Sequence, residues 1–198
     1  MKYLVFDNMA ACTEADIQRL LPLVSTQRRE QALRFHHLFG QWACLKTYEM
    51  LLSLLQPDIA LSQWDLASLP EFSYNEFGKP FLPQGSCFSI SHCRQALAVA
   101  VCESAIGIDV ESVRKADDAL IRRTMNGEEQ DLIARSDDAA RAFIRLWTQK
   151  EAVLKWQGTG IVDDLQGVLP TIRHDSSCRL LTQDYAHFVL SLAYSPTE

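Results

Sequence analysis

The sequence lacks a Cys-x-x-Cys pair, a long apolar run, a linker-like segment and any excess of basic charge, and each absence excludes a class of protein. Its six cysteines, Cys12, Cys44, Cys87, Cys93, Cys102 and Cys178, are scattered among apolar neighbours. That distribution suits buried thiols of a reducing compartment rather than a disulfide framework. No stretch approaches the ~18 apolar residues that a membrane span requires. Met1-Lys2-Tyr3-Leu4-Val5-Phe6-Asp7 has neither the apolar core nor the cleavage site of a signal peptide. The expectation is a cytoplasmic chain without membrane association. Lys and Arg number 19 against 25 Asp and Glu, a net charge of -6, which argues against a general polyanion binder such as a non-specific DNA protein. Any phosphate recognition must therefore be local. Nothing is Pro/Ser-rich enough to be a linker, and no internal sequence repeat is visible.

What is present describes a globular chain. With 198 residues, 47% hydrophobic and 22% charged, it is too apolar for disorder. A chain of this size buries roughly 70% of its unfolded surface without needing disulfides or structural metal. Tyr3 to Phe6 predicts a strand, and Thr13 with Asp16 predicts the capped start of a helix carrying Ile17, Leu20 and Leu21. Ser25-Thr26 opens a basic segment with Arg28, Arg29, Arg34, His36 and His37, followed by a helix with the stripe Leu45, Tyr48, Leu52 and Leu55, ended by Pro57. Adjacent helical imidazoles diverge by about 100°, so His36-His37 predicts a solvated pair rather than a metal site. Asn75 to Pro80 predicts a turn, Cys87 to Ser91 with Ala96 to Cys102 a β-hairpin, and Ala105 to Glu111 a strictly alternating strand. Two short helical stretches, a long helix from about Asp138 to Gln157 closed by Gly158, and strands with polar turns over 165–194 complete the expectation.

Two local patterns bear on chemistry. Asp109 and Glu111 stand two apart on one strand, with Cα atoms about 6.6 Å apart and carboxylates on one face. Such a pair can chelate magnesium, which favours oxygen ligands and bridges carboxylates to phosphates, or it can point two charges into water. Gly107 on the same face leaves room for a ligand to approach. In the long helix, Ala139, Ala142, Phe143, Leu146, Trp147, Val153 and Leu154 span an apolar arc of about 140° with Lys150 in its middle. A buried ammonium is costly, so Lys150 must pair with an anion, snorkel or border a cleft. Glu151 and Lys155 at its edge form either an ordinary i, i+4 surface pair or a third oxygen ligand and a phosphate clamp.

Taken in order, Gly78-Lys79-Pro80, Phe88-Ser89-Ile90-Ser91-His92, Gly107-Ile108-Asp109-Val110-Glu111 and Leu146-Trp147-Thr148-Gln149-Lys150-Glu151-Ala152-Val153-Leu154-Lys155 resemble the 4'-phosphopantetheinyl transferase superfamily, in its longer surfactin-type class. The resemblance implies an α+β fold of two pseudo-symmetric α/β halves, 1–105 contacting coenzyme A and 106–198 carrying the metal strand and catalytic helix, with the active site between them. It implies a magnesium-dependent holo-carrier-protein synthase that moves the 4'-phosphopantetheine arm of coenzyme A onto a serine of an apo acyl or peptidyl carrier protein. Nucleic acid is not an implied partner, and a chain containing both halves is expected to be monomeric.

Carried over by position, the resemblance implies Asp109, Glu111 and Glu151 as magnesium ligands. Glu151, Lys155 and His92 are implied as catalytic residues, with Glu151 the general base. Arg28, Arg29, Lys79, Ser91, His92, Lys150 and Lys155 are implied as coenzyme contacts. Glu129, or in a shifted register Glu128, is implied as a supporting acid near the metal. The chain departs from the family pattern at Gln31, where a lysine is usual, at Cys44, where a hydroxyl is usual, and at Thr148. The first two bear on the 3'-phosphate, which is then either held less tightly or held by Arg29 and Lys46 instead. A metal-dependent phosphoesterase built on the same acids and a non-catalytic carrier or coenzyme binder are the alternatives. Which carrier is served is not written in the motifs.

Overall fold

The computed structural model describes residues 1–160, 162–173 and 175–196, excepting the side chain of Leu61. In chain order the regular elements are β1 (Lys2–Phe6), α1 (Glu14–Leu20), α2 (Thr26–Leu33), α3 (Leu38–Leu55), β2 (Ser73–Tyr74), β3 (Pro80–Phe81), β4 (Cys87–His92) and β5 (Leu97–Cys102). They continue with β6 (Ile106–Ser112), α4 (Asp118–Thr124), α5 (Gly127–Arg135), α6 (Ala139–Gln157), α7 (Val168–Ile172), β7 (Arg179–Asp184) and β8 (Phe188–Tyr194). The α+β class is as expected.

Local signals set most of the boundaries. Thr13 accepts a hydrogen bond from the Asp16 amide, Ser25 from that of Arg28, and Asp138 from that of Arg141, each satisfying an amide that its helix leaves free. α6 stops at Gly158, whose φ of 76° is the left-handed conformation that glycine adopts without strain. The imidazole of His37 caps α3 by accepting from the Gly40 amide, so one of the two adjacent histidines has a structural task. The stretch expected as strands from residue 165 onward contains a short helix, α7, before the β7–β8 hairpin. Its apolar residues Val168, Leu169 and Ile172 recur at helical spacing and pack with Val153 and Leu154 of α6.

Two antiparallel sheets share one plan. The first has the order β1-β5-β4 and the second β6-β8-β7, so in each the first strand lies beside the third. In each, the first strand is separated by a long helix, α3 or α6, from the hairpin that completes the sheet. The two faces of β5 divide the core. Leu97, Val99 and Val101 join α3 in one apolar cluster, whereas Ala98, Ala100 and Cys102 meet Ile106, Ile108, Val110, Leu190 and Leu192 of the second sheet. The small β5 side chains let the sheets approach closely, and on the far side of the second sheet Ala193 meets Ala152 and Val153 of α6. The layering is helix, sheet, sheet, helix.

Gly107 has a different purpose from the one expected. A Cβ there would lie 2.0 Å from the Ala152 carbonyl oxygen and 2.4 Å from the Trp156 nitrogen. The missing side chain thus admits the backbone of α6, not a ligand. This close crossing sets α6 against β6 and so brings the helix residues that follow Lys150 over the strand carboxylates.

Candidate active site

A cleft of about 540 Å³ draws its walls from both sheets and from α2, α3 and α6; Ser91 and His92 come from β4, Asp109 and Glu111 from β6, Trp147, Glu151 and Lys155 from α6. The outer edges of β4 and β6 meet here through serine side chains rather than through strand pairing. The Ile108 amide donates to Ser89 Oγ at 3.0 Å and the Val110 amide to Ser91 Oγ at 3.3 Å. Two hydroxyls two residues apart therefore replace a β-ladder, holding the strands together while leaving room between them.

Ser91 is the centre of this junction. Its hydroxyl donates to Asp109 Oδ1 at 2.8 Å and accepts from Lys155 Nζ at 3.1 Å, while the same ammonium lies 2.6 Å from Asp109 Oδ1. Asp109 is 4% exposed. Its second oxygen, Oδ2, is buried without a hydrogen-bond partner, an open acceptor in a cleft wall and a costly one to leave unfilled. Glu111 and Glu151 line the same cleft. Burial pushes both carboxyls up from their ordinary range, and the negative charge of Asp109 pushes them further. Three mutually repelling carboxylates with an orphaned oxygen are the donor set that a hard divalent cation satisfies. Among the described residues no closed cluster of three such ligands is assembled; the Lys155 ammonium holds Asp109 Oδ1. The donors fit magnesium in chemistry.

The opposite wall is built on Arg28, which is 8% exposed. Its Nε donates to the Cys44 carbonyl at 2.9 Å, Nη1 to Gln31 Oε1 at 2.9 Å and Nη2 to Thr47 Oγ1 at 3.0 Å, with Phe72 stacked 5.2 Å away. Burial lowers its pKa. The departure at Gln31 thus supplies a side-chain oxygen that helps hold this guanidinium in the cleft wall, whereas Cys44 contributes through its backbone carbonyl, which does not depend on the thiol. Phe35 and Tyr74 also line the cleft; their isolated aromatic side chains carried no motif that would have singled them out. His92 packs edge-on against Phe39 at 5.8 Å, and its pKa is lowered chiefly by desolvation. Lys79 lines an adjoining cavity of about 230 Å³ that shares Glu151 and Lys155 with the cleft. Its Nζ donates to the Ile106 carbonyl at 3.1 Å, and burial lowers its pKa.

Two expected coenzyme contacts lie elsewhere. Lys150 is 1% exposed, with its Nζ 2.8 Å from both Glu129 Oε2 and the Leu165 carbonyl. An ammonium in the middle of an apolar arc is resolved here by a buried anion rather than by a cleft. Glu129 correspondingly is no supporting acid of the strand carboxylates: the same oxygen accepts from the Asn126 amide in a capping box that starts α5. Glu128 faces outward and pairs with Arg173 at 3.3 Å, so it does not face the strand carboxylates either. Arg29 turns from the cleft and donates to the Leu21 carbonyl at 2.9 Å, because consecutive residues of α2 point about 100° apart and Arg28 has taken the inward direction. Glu151 and Lys155 do not form the i, i+4 pair, since Lys155 is engaged by Asp109.

Comparison with known proteins identifies relatives of this chain. The sequence model of the 4'-phosphopantetheinyl transferase superfamily matches residues 105–194, which include both strand carboxylates and α6. The chain is 28% identical over 153 residues to 4'-phosphopantetheinyl transferase Sfp of Bacillus subtilis, covering 75% of this chain and 66% of that protein. It is 28% identical over 173 residues to psf-1 of Bacillus pumilus, covering 85% and 72%. It is 32% identical over 130 residues to AcpT of Salmonella typhimurium, covering 61% and 68%, and both of these relatives are likewise named 4'-phosphopantetheinyl transferases. The chain thus spans about two thirds of the length of the Bacillus subtilis relative. With its match to the family model, its relatives and the motif-bearing cleft taken together, the chain belongs to the 4'-phosphopantetheinyl transferase superfamily.

Proposed function

We propose that this chain transfers the 4'-phosphopantetheine arm of coenzyme A to a serine hydroxyl of an apo carrier protein and releases adenosine 3',5'-bisphosphate. The observation that carries the reading is the meeting of Ser91, Asp109 and Lys155 at the junction of the two sheets, beside Glu111 and Glu151. The units 1–105 and 106–198 act as the two sides of this cleft. Asp109, Glu111 and Glu151 would hold magnesium, which when bound supplies positive charge to a pyrophosphate.

The chain's own residues account for the rest. Lys155, Ser91 and His92 face the phosphates, with the lysine giving charge and the hydroxyl and imidazole giving directed donors. Arg28 and Lys79 lie along the coenzyme's path. The carrier serine loses its proton to the Glu151 carboxylate as its oxygen bonds to the β-phosphorus. The bond from that phosphorus to the bridging oxygen breaks, and the nucleotide departs with the electron pair. A raised carboxyl pKa makes Glu151 the stronger base. The Lys115 and Arg122 side chains line a groove of about 480 Å³ against α5 and α6. Asp118 and Asp131 line the same groove, so the positive charge offered to the carrier's acidic helix is that of Lys115 and Arg122 together with Arg114 and Arg123, on a chain of net charge -6.

The test is to incubate the protein with coenzyme A, magnesium and purified apo carriers, then weigh each carrier. A mass gain of one phosphopantetheine supports the transferase. Release of nucleotide without any carrier supports a phosphoesterase, and neither product overturns both.

A further inference from the structure

The β4–β5 hairpin places two cysteines directly opposite each other at its open end. The register pairs Cys87, the first residue of β4, with Cys102, the last of β5. At the turn, the Cys93 amide donates to the Ala96 carbonyl at 2.8 Å. Counting outward in twos from that hydrogen-bonded pair reaches 91/98, 89/100 and 87/102, so the two cysteines form a hydrogen-bonded pair. Such pairs have Cα atoms about 5.5 Å apart, at the commonest separation for a disulfide. Both side chains leave the same face of the sheet, since Cys87 shares the parity of Ser89 and Ser91, and Cys102 that of Ala98 and Ala100.

The two residues differ in their surroundings. Cys87 is exposed, so it is the sulfur of the pair that an oxidant in solution reaches first. Cys102 is 4% exposed, beside a surface cavity of about 320 Å³ that also touches Ser86. Burial pushes its thiol up, but hydrogen bonds from the Ser104 side chain and backbone outweigh this and hold it below the ordinary range. The pairing is particular to these two residues: Cys93 sits opposite Ala96, and Cys44 lies on α3.

We propose that Cys87 and Cys102 form a reversible redox site that closes to a cross-strand disulfide by exchange with a low-molecular-weight disulfide of the glutathione class. The Cys87 thiolate attacks one sulfur of the oxidant and displaces a first glutathione thiolate. The Cys102 thiolate then attacks Cys87 Sγ in the mixed disulfide and displaces a second. The protein dithiol loses two electrons, the oxidant gains them as two thiols, and the two cysteine protons pass to the departing thiolates. Cβ atoms of directly opposite residues lie about 4.5–5.5 Å apart, while a disulfide brings them to about 3.8 Å. Closure therefore stores strain, which raises the reduction potential and makes the bond labile. It forms under oxidising conditions and opens when reductant returns.

The experiment equilibrates the native protein with graded ratios of oxidised to reduced glutathione, alkylates the remaining thiols and maps the peptides by mass. The expected product is a Cys87–Cys102 linked peptide lacking two hydrogens, formed while Cys12, Cys44, Cys93 and Cys178 remain alkylated and the circular dichroism is unchanged. Cys102→Ser should stop the reaction at the glutathione adduct of Cys87, and Cys87→Ser should leave Cys102 alkylated. A wild-type protein that ends as the Cys87 adduct, that shows no reaction at Cys87, or that links the pair only after its circular dichroism has collapsed would overturn the proposal.

Discussion

Lys155 Nζ lies 2.6 Å from Asp109 Oδ1, so the strand carboxylate has a cation of its own chain before any ligand arrives. The distance joins α6 to β6 across the same crossing that Gly107 permits. Asp109→Ala removes the acceptor for Lys155 and for the Ser91 hydroxyl together, and transfer to a carrier should fall at least ~10²-fold. Lys155 is 28% exposed in its side chain and can turn to water, so the variant should still fold. Near-native turnover at limiting magnesium, measured by carrier mass, would remove Asp109 from the site.

The acids Glu111 and Glu151 provide a test by pH. Both have carboxyl pKa values raised by burial and by Asp109. A folded-state value above the unfolded one means that the native protein binds more protons between the two, so these groups lower stability as pH rises through that window. Without divalent metal, Glu111→Gln and Glu151→Gln should each raise the melting temperature at pH 7 and have little effect near pH 3. A lower melting temperature at pH 7 would show that the carboxylates stabilise the fold. Glu151→Gln should also reduce turnover by at least ~10²-fold, with no rescue by excess magnesium; full rescue would make ligation its whole role.

Lys150 and Glu129 are 1% and 8% exposed in their side chains and 2.8 Å apart. Lys150→Met leaves Glu129 as a buried charge that has lost its cation, while Glu129 Oε1 already lacks a partner. The expected cost is about 3–5 kcal/mol in urea unfolding, against little change in coenzyme affinity for the protein that remains folded. A variant that unfolds as the parent does but binds coenzyme A poorly would return Lys150 to the cleft.

Arg28 and Arg29 separate in the same way. Arg28→Ala removes a buried guanidinium from the cleft wall and should weaken coenzyme A binding at least ~10-fold, the equivalent of ~1.4 kcal/mol. Arg29→Ala removes a single hydrogen bond to the Leu21 carbonyl and should change binding less than ~2-fold. Equal losses in titration calorimetry would contradict the directions of these side chains.

Gly107→Ala places a Cβ 2.0 Å from the Ala152 carbonyl oxygen. Because the clash is with helix backbone rather than with a mobile side-chain end, α6 must shift. The expected destabilisation is at or above the ~1–3 kcal/mol of ordinary overpacking, together with lost transfer, since Glu151 and Lys155 move with the helix. A soluble variant with normal melting and activity would show that the crossing of α6 and β6 tolerates an added methyl group.

The amino-acid sequence by itself determined what depends on neighbours along the chain. Thr13, Ser25 and Asp138 cap helices with amides three residues on, and Gly158 ends α6 because only its own backbone freedom is at issue. Alternation put Asp109 and Glu111 on one face of β6, and the order of four motifs was enough to suggest the family. The tertiary structure alone decided what depends on distant partners. Periodicity showed Lys150 to be anomalous but could not choose among an anion, solvent and a cleft, because Glu129 comes from another helix 21 residues away. Likewise, helical spacing made Glu151 the natural partner for Lys155, whereas the chosen partner, Asp109, lies 46 residues away on a strand. Competition between near and distant charges is settled by burial: an ammonium beside a carboxylate that is 4% exposed is held more strongly than one beside a partly solvated glutamate, because water screens the first pair less.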